Sequence, residues 1–314
     1  MKHLLSTASL LVAASLTLTA CSSSTTEPAR STASGDKDLT IFATTGYLAD
    51  AAHNIAPDAD IITMVGPGGD PHTYQPTTKD IEAMNQADVV LWNGLHLEAQ
   101  MIDQLSSLGK KQLAVGDQID TSKLLPWPEE GTNGEKLYDP HIWNSPEIWE
   151  EVVDSIGDKL GEIDPSNAED YAKAADAYEE QISALDKDMD KVLANLDSRV
   201  LISGHDAFNY FGRTYDLEVH ATDFVTTEAA MSPAQISELA DTIATKKVPT
   251  IFRDNQANPQ AITALQEAVK SRGWDVKVSD QELFADTLGP TPPTDTYLGV
   301  FKHNAEAVSA ALTK

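Results

Sequence analysis

DPSNAEDYAKAADAYEEQISALDKDMDKVLANLDSRVLISGHDAFNYF, residues 164–211, holds a long helical pattern, a strand and a histidine in one uninterrupted run. Asp164-Pro165-Ser166-Asn167 is a helix start, because proline fits the first turn and Ser or Asn can cap it. Tyr171, Ala174, Tyr178, Ile182, Leu185, Met189, Val192 and Leu196 then recur every three or four residues, with no glycine or proline before Gly204. This predicts a helix over residues 166–198, roughly 50 Å long at ~1.5 Å per residue. Two readings fit. One is a long helix packed on a single domain. The other is a rigid backbone joining two lobes, which would resist wide hinge motion far more than two or three extended strands.

Both sides of this run alternate strands and helices. On the N-terminal side, Leu39–Ala43, Ile61–Val65, Val89–Trp92 and Gln112–Val115 read as strands. Helical patterns lie near Tyr47–Ile55, Thr78–Gln86 and Leu97–Leu108. On the C-terminal side, Val200–Ser203, Leu217–Val219, Thr250–Phe252 and Val276–Val278 read as strands. Helices fall near Ala207–Tyr215, Pro233–Thr245, Pro259–Ser271 and Thr296–Leu312. Such alternation predicts an α/β protein of parallel sheets flanked by helices. There is no internal repeat in the sequence, only this architectural echo.

Composition narrows the function. The 314 residues suffice for two domains, and 41% hydrophobic with 23% charged is ordinary for a soluble globular protein. Lys+Arg 22 against Asp+Glu 49 gives a net charge of −27, which argues against phosphate neutralisation and hence against a nucleic-acid partner. The single cysteine rules out an intrachain disulfide, a Cys-rich zinc ribbon and a Cys-ligated cluster.

The N-terminus is an address. Lys2 is followed by an apolar or small stretch, Leu4 to Ala20, ending Leu18-Thr19-Ala20-Cys21. It is short for a bilayer span and broken by Ser and Thr, so it reads as a signal peptide. Cys21 stands where a bacterial lipoprotein signal places its lipidated cysteine. That resemblance implies cleavage before Cys21 and attachment of acyl chains. Loss of Lys2 would take the charge from −27 to −28. Residues 22–37, SSSTTEPARSTASGDK, lack apolar periodicity and read as a flexible tether.

Histidines at loop positions carry the chemistry. Of eight, His3 belongs to the signal, His53 and His303 lie inside helical patterns, and His220 ends a strand. His96, in Trp92-Asn-Gly-Leu-His-Leu-Glu98, retains a modest claim to a supporting or weak metal role. His72 and His141 have matching contexts, Asp70-Pro71-His72 and Asp139-Pro140-His141. Proline fixes its own φ and restricts the preceding residue, so each histidine leaves a rigid turn. The neighbouring Asp70 or Asp139 can accept the second ring N–H and orient the imidazole. His205 directly follows the strand Val200–Ser203, and ligands in open α/β sheets bind beyond the carboxyl ends of strands. Asp286, between Phe284 and Leu288, is a carboxylate in apolar surroundings. A dication is one compensation for such burial, and a helix-capping role is equally compatible with it. Three imidazoles and a carboxylate suit Zn2+ or Mn2+ better than copper(I), Mg2+ or Ca2+.

Four runs, GGDPHTYQPTTKDIEAMNQADVVLWNGLHLEAQM, YDPHIWNSPEIW, ISGHDAFNYF and ELFADTLG, together resemble the cluster A-I solute-binding lipoproteins of zinc and manganese ABC importers. The resemblance spans about residues 38–314 with the motifs in family order. It implies two small βα lobes with central parallel sheets, 38–165 and 199–314, joined by one long rigid helix, 166–198. It implies one metal ion between the lobes, with His72, His141, His205 and Asp286 as its ligands in order. The third ligand is commonly Glu in manganese members and His in zinc members, although some with His accept both, so His205 leans towards zinc. Zinc members often carry a His-rich loop before the second ligand. Here DQIDTSKLLPWPEEGTNGEKLY, residues 117–138, has acids but no histidine.

The implied protein is an extracytoplasmic, membrane-anchored, monomeric carrier, not an enzyme. It would hand its ion to a permease with a separate ATPase subunit, since no Gly-x-x-x-x-Gly-Lys-Ser/Thr loop is present. A manganese-specific carrier is the alternative within the family. From other classes, a zinc-dependent hydrolase would need an open coordination position and a base, and no His-Glu-x-x-His is present. A surface adhesin role, assigned to some related lipoproteins, is neither supported nor excluded by these residues.

Overall fold

A computed structural model describes residues 39–130, 136–227 and 231–313; Cys21, the signal and the tether lie outside the described residues. In the first half, β1 (Thr40–Thr45), β2 (Asp60–Val65), β3 (Val89–Trp92) and β4 (Gln112–Ala114) form one parallel sheet in the order β2-β1-β3-β4. Helices α1 (Gly46–Ile55), α2 (Thr78–Gln86) and α3 (Ile102–Ser106) connect them. Ile41–Ala43 and Val89–Leu91 are wholly buried, which is why these strands read as continuous apolar runs rather than alternating ones. An antiparallel hairpin, β5 (Pro126–Glu130) and β6 (Lys136–Tyr138), then leads to α4 (Pro146–Ile163) and α5 (Ala168–Leu193).

The second half contains β7 (Val200–Ser203), α6 (Asn209–Tyr215), β8 (Glu218–Ala221), α7 (Pro233–Lys246), β9 (Thr250–Ile251), α8 (Pro259–Ser271), β10 (Lys277–Val278) and α9 (Tyr297–Leu312). β7 pairs with β8 and β9 with β10, both parallel. The Phe252 N–H donates to the Ile202 carbonyl at 2.8 Å and brings the two pairs together as β8-β7-β9-β10. Each half therefore orders its strands second, first, third, fourth.

α5 is 26 residues long, roughly 39 Å, and shorter than the pattern predicts at both ends. At its start, Asp164 accepts from Ser166 Oγ and Asn167 Nδ2 and holds those residues in a turn. At its end, the Arg199 guanidinium donates to the carbonyls of Leu193, Ala194 and Tyr215, capping the last turn before β7. The helix is fastened to both halves. Tyr178 donates to Asp50 of α1 at 2.5 Å, and Tyr215 of α6 donates to Asp186 at 2.7 Å. It also packs along α4 and α9.

Two helical stretches depart from the pattern, and the β5–β6 hairpin is absent from it. The helix expected over 97–108 is a 3₁₀ turn, Ala99–Met101, followed by the short α3. Gly94, Leu95 and His96 all have positive φ (75°, 52° and 66°), so the chain doubles back where the helix would begin. α4, absent from the pattern reading, starts at Ser145, whose side chain accepts from the Ile148 N–H, with Pro146 in the first turn. The main core runs from Ile41 to Leu312 through both halves, with Tyr47 stacked on Trp143 and Trp149 stacked on Tyr297.

Candidate metal centre

Four side chains from four loops converge at the carboxyl ends of the strands. His72 follows β2, His141 follows β6, His205 follows β7 and Asp286 lies beyond β10. One ligand atom from each lies within 4.8 Å of the others, and all four residues are buried. His141 Nε2 is 3.3 Å from His72 Nε2 and 3.1 Å from His205 Nε2. Asp286 Oδ1 is 3.4 Å from His141 Nε2, while Oδ2 is 3.5 Å from His72 Nε2 and 3.4 Å from His205 Nε2.

The twin Asp-Pro-His turns share one device and differ in another. In both, the aspartate Oδ1 accepts the backbone N–H of the histidine two residues on, at 2.9 Å for His72 and 3.0 Å for His141. Asp139 Oδ1 also lies 2.6 Å from His141 Nδ1, and Asn209 of α6 donates to Asp139 Oδ2 at 3.1 Å. Asp70 makes no such ring contact. Its Oδ2 accepts instead from the hydroxyls of Thr73 (2.7 Å) and Thr227 (2.5 Å), and His72 Nδ1 has no partner among the described residues. The equal support that the matching tripeptides suggest is thus given to His141 alone.

Two buried carboxylates absent from the sequence reading hold the loops. Asp254 Oδ2 accepts the N–H groups of Gly204 (2.7 Å) and His205 (2.9 Å). Residue 204 must be glycine there, since a Cβ would fall 2.3 Å from that of Ala257 and 2.8 Å from Asp254 Oδ2. In the first half, Glu98 accepts from Thr44 (2.6 Å) and from the N–H groups of Asn93 (2.8 Å) and Gly94 (3.1 Å). Asn93 in turn donates to the Pro140 carbonyl at 2.9 Å, beside His141. Tyr47 and Trp143 both donate to the Ala285 carbonyl, at 3.1 and 2.9 Å, tying the approach to Asp286 across the halves.

Burial sets the protonation. It pushes the Asp286 carboxyl up to about 7, with the His141 charge opposing and the Asp70, Asp254 and Asp139 charges adding. It also drives His72 and His205 well below the ordinary histidine range, reinforced by His141. His141 goes the other way: burial opposes its charge, but Asp139, with Asp286 and Asp206, outweighs that and raises it.

The donor set fits a dication. With Nδ1–H of His141 given to Asp139, its Nε2 presents a lone pair to two other imidazoles and a carboxylate oxygen. Both Asp286 oxygens lack a hydrogen-bond partner among the described residues, an expensive condition for a buried carboxylate. A tetrahedron with bonds of about 2.05 Å has edges of about 3.3 Å. The separations of 3.1–3.5 Å, taken over both Asp286 oxygens, are near that length, and one donor atom from each residue lies within 4.8 Å of the others.

The other histidines stay apart. His53 is exposed, His220 pairs with Glu218 at 2.8 Å, and His303 donates to the Glu282 carbonyl at 2.8 Å. His96 lines an open cavity of about 410 Å³ with Asp117 and Tyr138, outside the cluster. Among the described residues, no helix is long and apolar enough to cross a membrane.

A sequence profile of the family "zinc-uptake complex component A, periplasmic" (ZnuA) matches residues 41–311. This chain belongs to that family. Within it, the chain is similar to the manganese-binding lipoprotein MntA of Bacillus subtilis, at 35% identity over 285 residues covering 89% of this chain and 91% of the relative. It is also similar to the zinc-binding protein TroA of Treponema pallidum, at 34% over 286 residues covering 90% and 91%. The solved structure of that periplasmic zinc-binding protein superposes with a TM-score of 0.82 at 34% identity, covering 88% of this chain and all of the other. The ZnuA fold is accordingly the two-lobe α/β architecture that the alternating strands and the long helix imply, and the family is one of uptake-complex components rather than enzymes.

Proposed function

We propose that this chain is the extracytoplasmic metal-binding lipoprotein of an ABC-type importer, capturing one divalent cation with His72, His141, His205 and Asp286 and delivering it to a membrane permease. The observation that carries this is the buried convergence of three imidazole nitrogens and an unpartnered carboxylate within 4.8 Å. The site is complete within one chain, which supports a monomer. Four protein donors can close a tetrahedral shell and leave no position for a reactive water, which supports a carrier over a hydrolase. Cys21 would hold the protein at the membrane by its acyl chains, and the permease would draw on a separate ATPase subunit. In this reading the lobes are residues 38–165 and 199–314, and the joining segment 166–198 is helical over Ala168–Leu193.

Zinc is the favoured cargo. Zn2+ outbinds Mn2+ at almost any nitrogen and oxygen site, and three imidazoles with a carboxylate are a donor set that zinc accepts. Manganese is favoured by a different feature. Both Asp286 oxygens face the imidazoles, Oδ1 towards His141 and Oδ2 towards His72 and His205, so a fifth donor is at hand for a larger ion. The relatives divide likewise, MntA being named for manganese and TroA for zinc. Competitive Zn2+/Mn2+ titration of the metal-free protein, with metal analysis of freshly isolated lipoprotein, separates the readings. One tightly held ion per chain is expected, with zinc displacing manganese. A chain that retains neither ion would overturn the assignment.

A further inference from the structure

Asp254, Asn255 and Gln256 leave the end of β9 between the ligand loops, and each side chain grips a different loop. The backbone here extends the sheet: Leu283 N–H donates to the Arg253 carbonyl (2.8 Å) and Asn255 N–H to the Leu283 carbonyl (3.0 Å). Asp254 holds Gly204 and His205 by their N–H groups, and its Oδ1 also accepts the N–H of Gln256 at 3.0 Å. Asn255 brackets Asp286. Its Oδ1 accepts the Ala285 N–H at 2.8 Å, and its Nδ2 donates to the Thr287 carbonyl (2.9 Å) and hydroxyl (2.7 Å). Gln256 reaches the other half of the molecule, its Nε2 donating to the Gly69 carbonyl at 2.6 Å, three residues before His72. The Thr287 hydroxyl closes the ring by accepting the Gly68 N–H at 3.1 Å.

We propose that Asp254-Asn255-Gln256 is a positioning element that sets the spacing of His72, His205 and Asp286, with Gln256 coupling the His72 loop to the frame that holds the other two. The three residues are distinguishable in role. The bonds of Asp254 and Asn255 lie within the second half and serve its folding as well as the site. The Gln256 side-chain bond joins residues 187 apart and supports no helix or strand. Gln256 is half-buried, so its removal leaves no large cavity. Without it, Gly66–Gly69 keep their own turn, the Gly69 N–H donating to the Gly66 carbonyl at 3.0 Å, but lose one tether to the opposite half. The loop then samples positions in which His72 is withdrawn, and a bound ion escapes through them.

The inference rests on the metal-binding reading above, and its test separates the two. Wild-type protein, Gln256→Ala and Gln256→Met are each loaded with Zn2+, and release into excess chelator is followed in time. Methionine keeps the reach of glutamine without the donor. Both variants are expected to release zinc about three- to tenfold faster, the range one hydrogen bond supplies, with association rate and metal-free Tm unchanged. Wild-type release from Gln256→Ala would overturn the proposal. So would wild-type release from Gln256→Met alone, which would assign the effect to packing, or a fall in metal-free Tm that accounts for the faster release. A wild-type protein that holds no zinc would defeat the metal-binding reading instead.

Discussion

Replacing Asp286 by Asn should strengthen the metal-free fold while crippling the site. The carboxyl is pushed from an ordinary 3.8 up to about 7, first by burial and then by the Asp70, Asp254 and Asp139 charges, with His141 opposing. A folded-state value above the unfolded one means that the folded chain holds the proton longer, so stability falls as pH rises from about 4 to 7. At about 1.4 kcal/mol per pH unit between those limits, the ionised carboxylate destabilises the metal-free fold by about 4 kcal/mol at pH 8. An asparagine removes that charge but leaves an amide with few partners, which costs about 1–3 kcal/mol. The net gain of about 1–3 kcal/mol corresponds to a Tm higher by about 2–5 °C for a body of this size. Zinc should invert the order, because only the wild-type site gains the full linkage stabilisation of a tightly bound ion. Thermal unfolding of chelator-stripped Asp286→Asn and wild type, at pH 4 and pH 8 and then with excess Zn2+, tests each step. The advantage should be lost at pH 4, where the folded carboxyl is neutral and the unfolded one, near its ordinary 3.8, is only partly ionised. A metal-free variant melting at or below wild type at pH 8, or an order that zinc leaves unchanged, would refute the reasoning.

Asp139→Asn removes the acceptor 2.6 Å from His141 Nδ1 and should weaken zinc binding about 10–100-fold with the fold retained; chelator competition giving wild-type affinity would remove Asp139 from its orienting role. Zinc affinity should fall as pH drops through about 7, where the Asp286 carboxyl takes up a proton, and through the raised range of His141, because both ligands must be deprotonated to bind the ion. The groups that release protons on binding are His141 and Asp286, whose values are raised, and not His72 or His205, whose values burial lowers; calorimetry in buffers of different ionisation enthalpy counts them, and tighter binding at pH 5 than at pH 7.5 would contradict the scheme. Arg199→Met frees two carbonyls at the end of α5 and one at the end of α6, and should cost about 1–3 kcal/mol of stability, read as a lower metal-free Tm, while zinc affinity holds; a loss of affinity without a loss of stability would place Arg199 in the site's support instead.

The strands are legible in the sequence because parallel strands covered on both faces, such as Val89–Trp92, need no polar alternation. His72 and His141 stand out because Asp-Pro-His repeats a rigid local geometry, and His205 because it directly ends an apolar run. Less legible are the features that depend on contacts distant in sequence. Asp254 and Glu98 read like any other acids in a chain with 49 of them, and only their backbone N–H partners reveal them. The end of α5 escapes a pattern reading because Arg199 caps it from beyond the helix. α4 hides for another reason: its start, Ser145-Pro146, lies inside the YDPHIWNSPEIW run that also carries His141. Asp70 and Asp139 share a tripeptide and diverge because Thr227 draws one of them away.

Each half uses a buried carboxylate to fix a loop at the site: Asp254 holds the His205 loop directly, and Glu98 holds Asn93-Gly94, which reaches the His141 loop through the Pro140 carbonyl. A buried carboxylate beyond the third strand, Glu98 after β3 and Asp254 after β9, accepts two successive backbone N–H groups of a loop and fixes its path. Burial raises both carboxyls, Asp254 to about 6, so each ionised acid is itself a strain on the fold. That strain is spread over sites that never meet an ion, and the large aromatic core around Tyr47, Trp143, Trp149 and Tyr297 counters it. The ligand loops are therefore ordered by the protein and not by the cargo. An ion entering such a site meets little ordering entropy, which favours tight capture. Of the two Asp-Pro-His turns, that of His72 gives its ring the weaker hold, because its aspartate is shared with hydroxyls and the ring Nδ1, like that of His205, has no partner among the described residues.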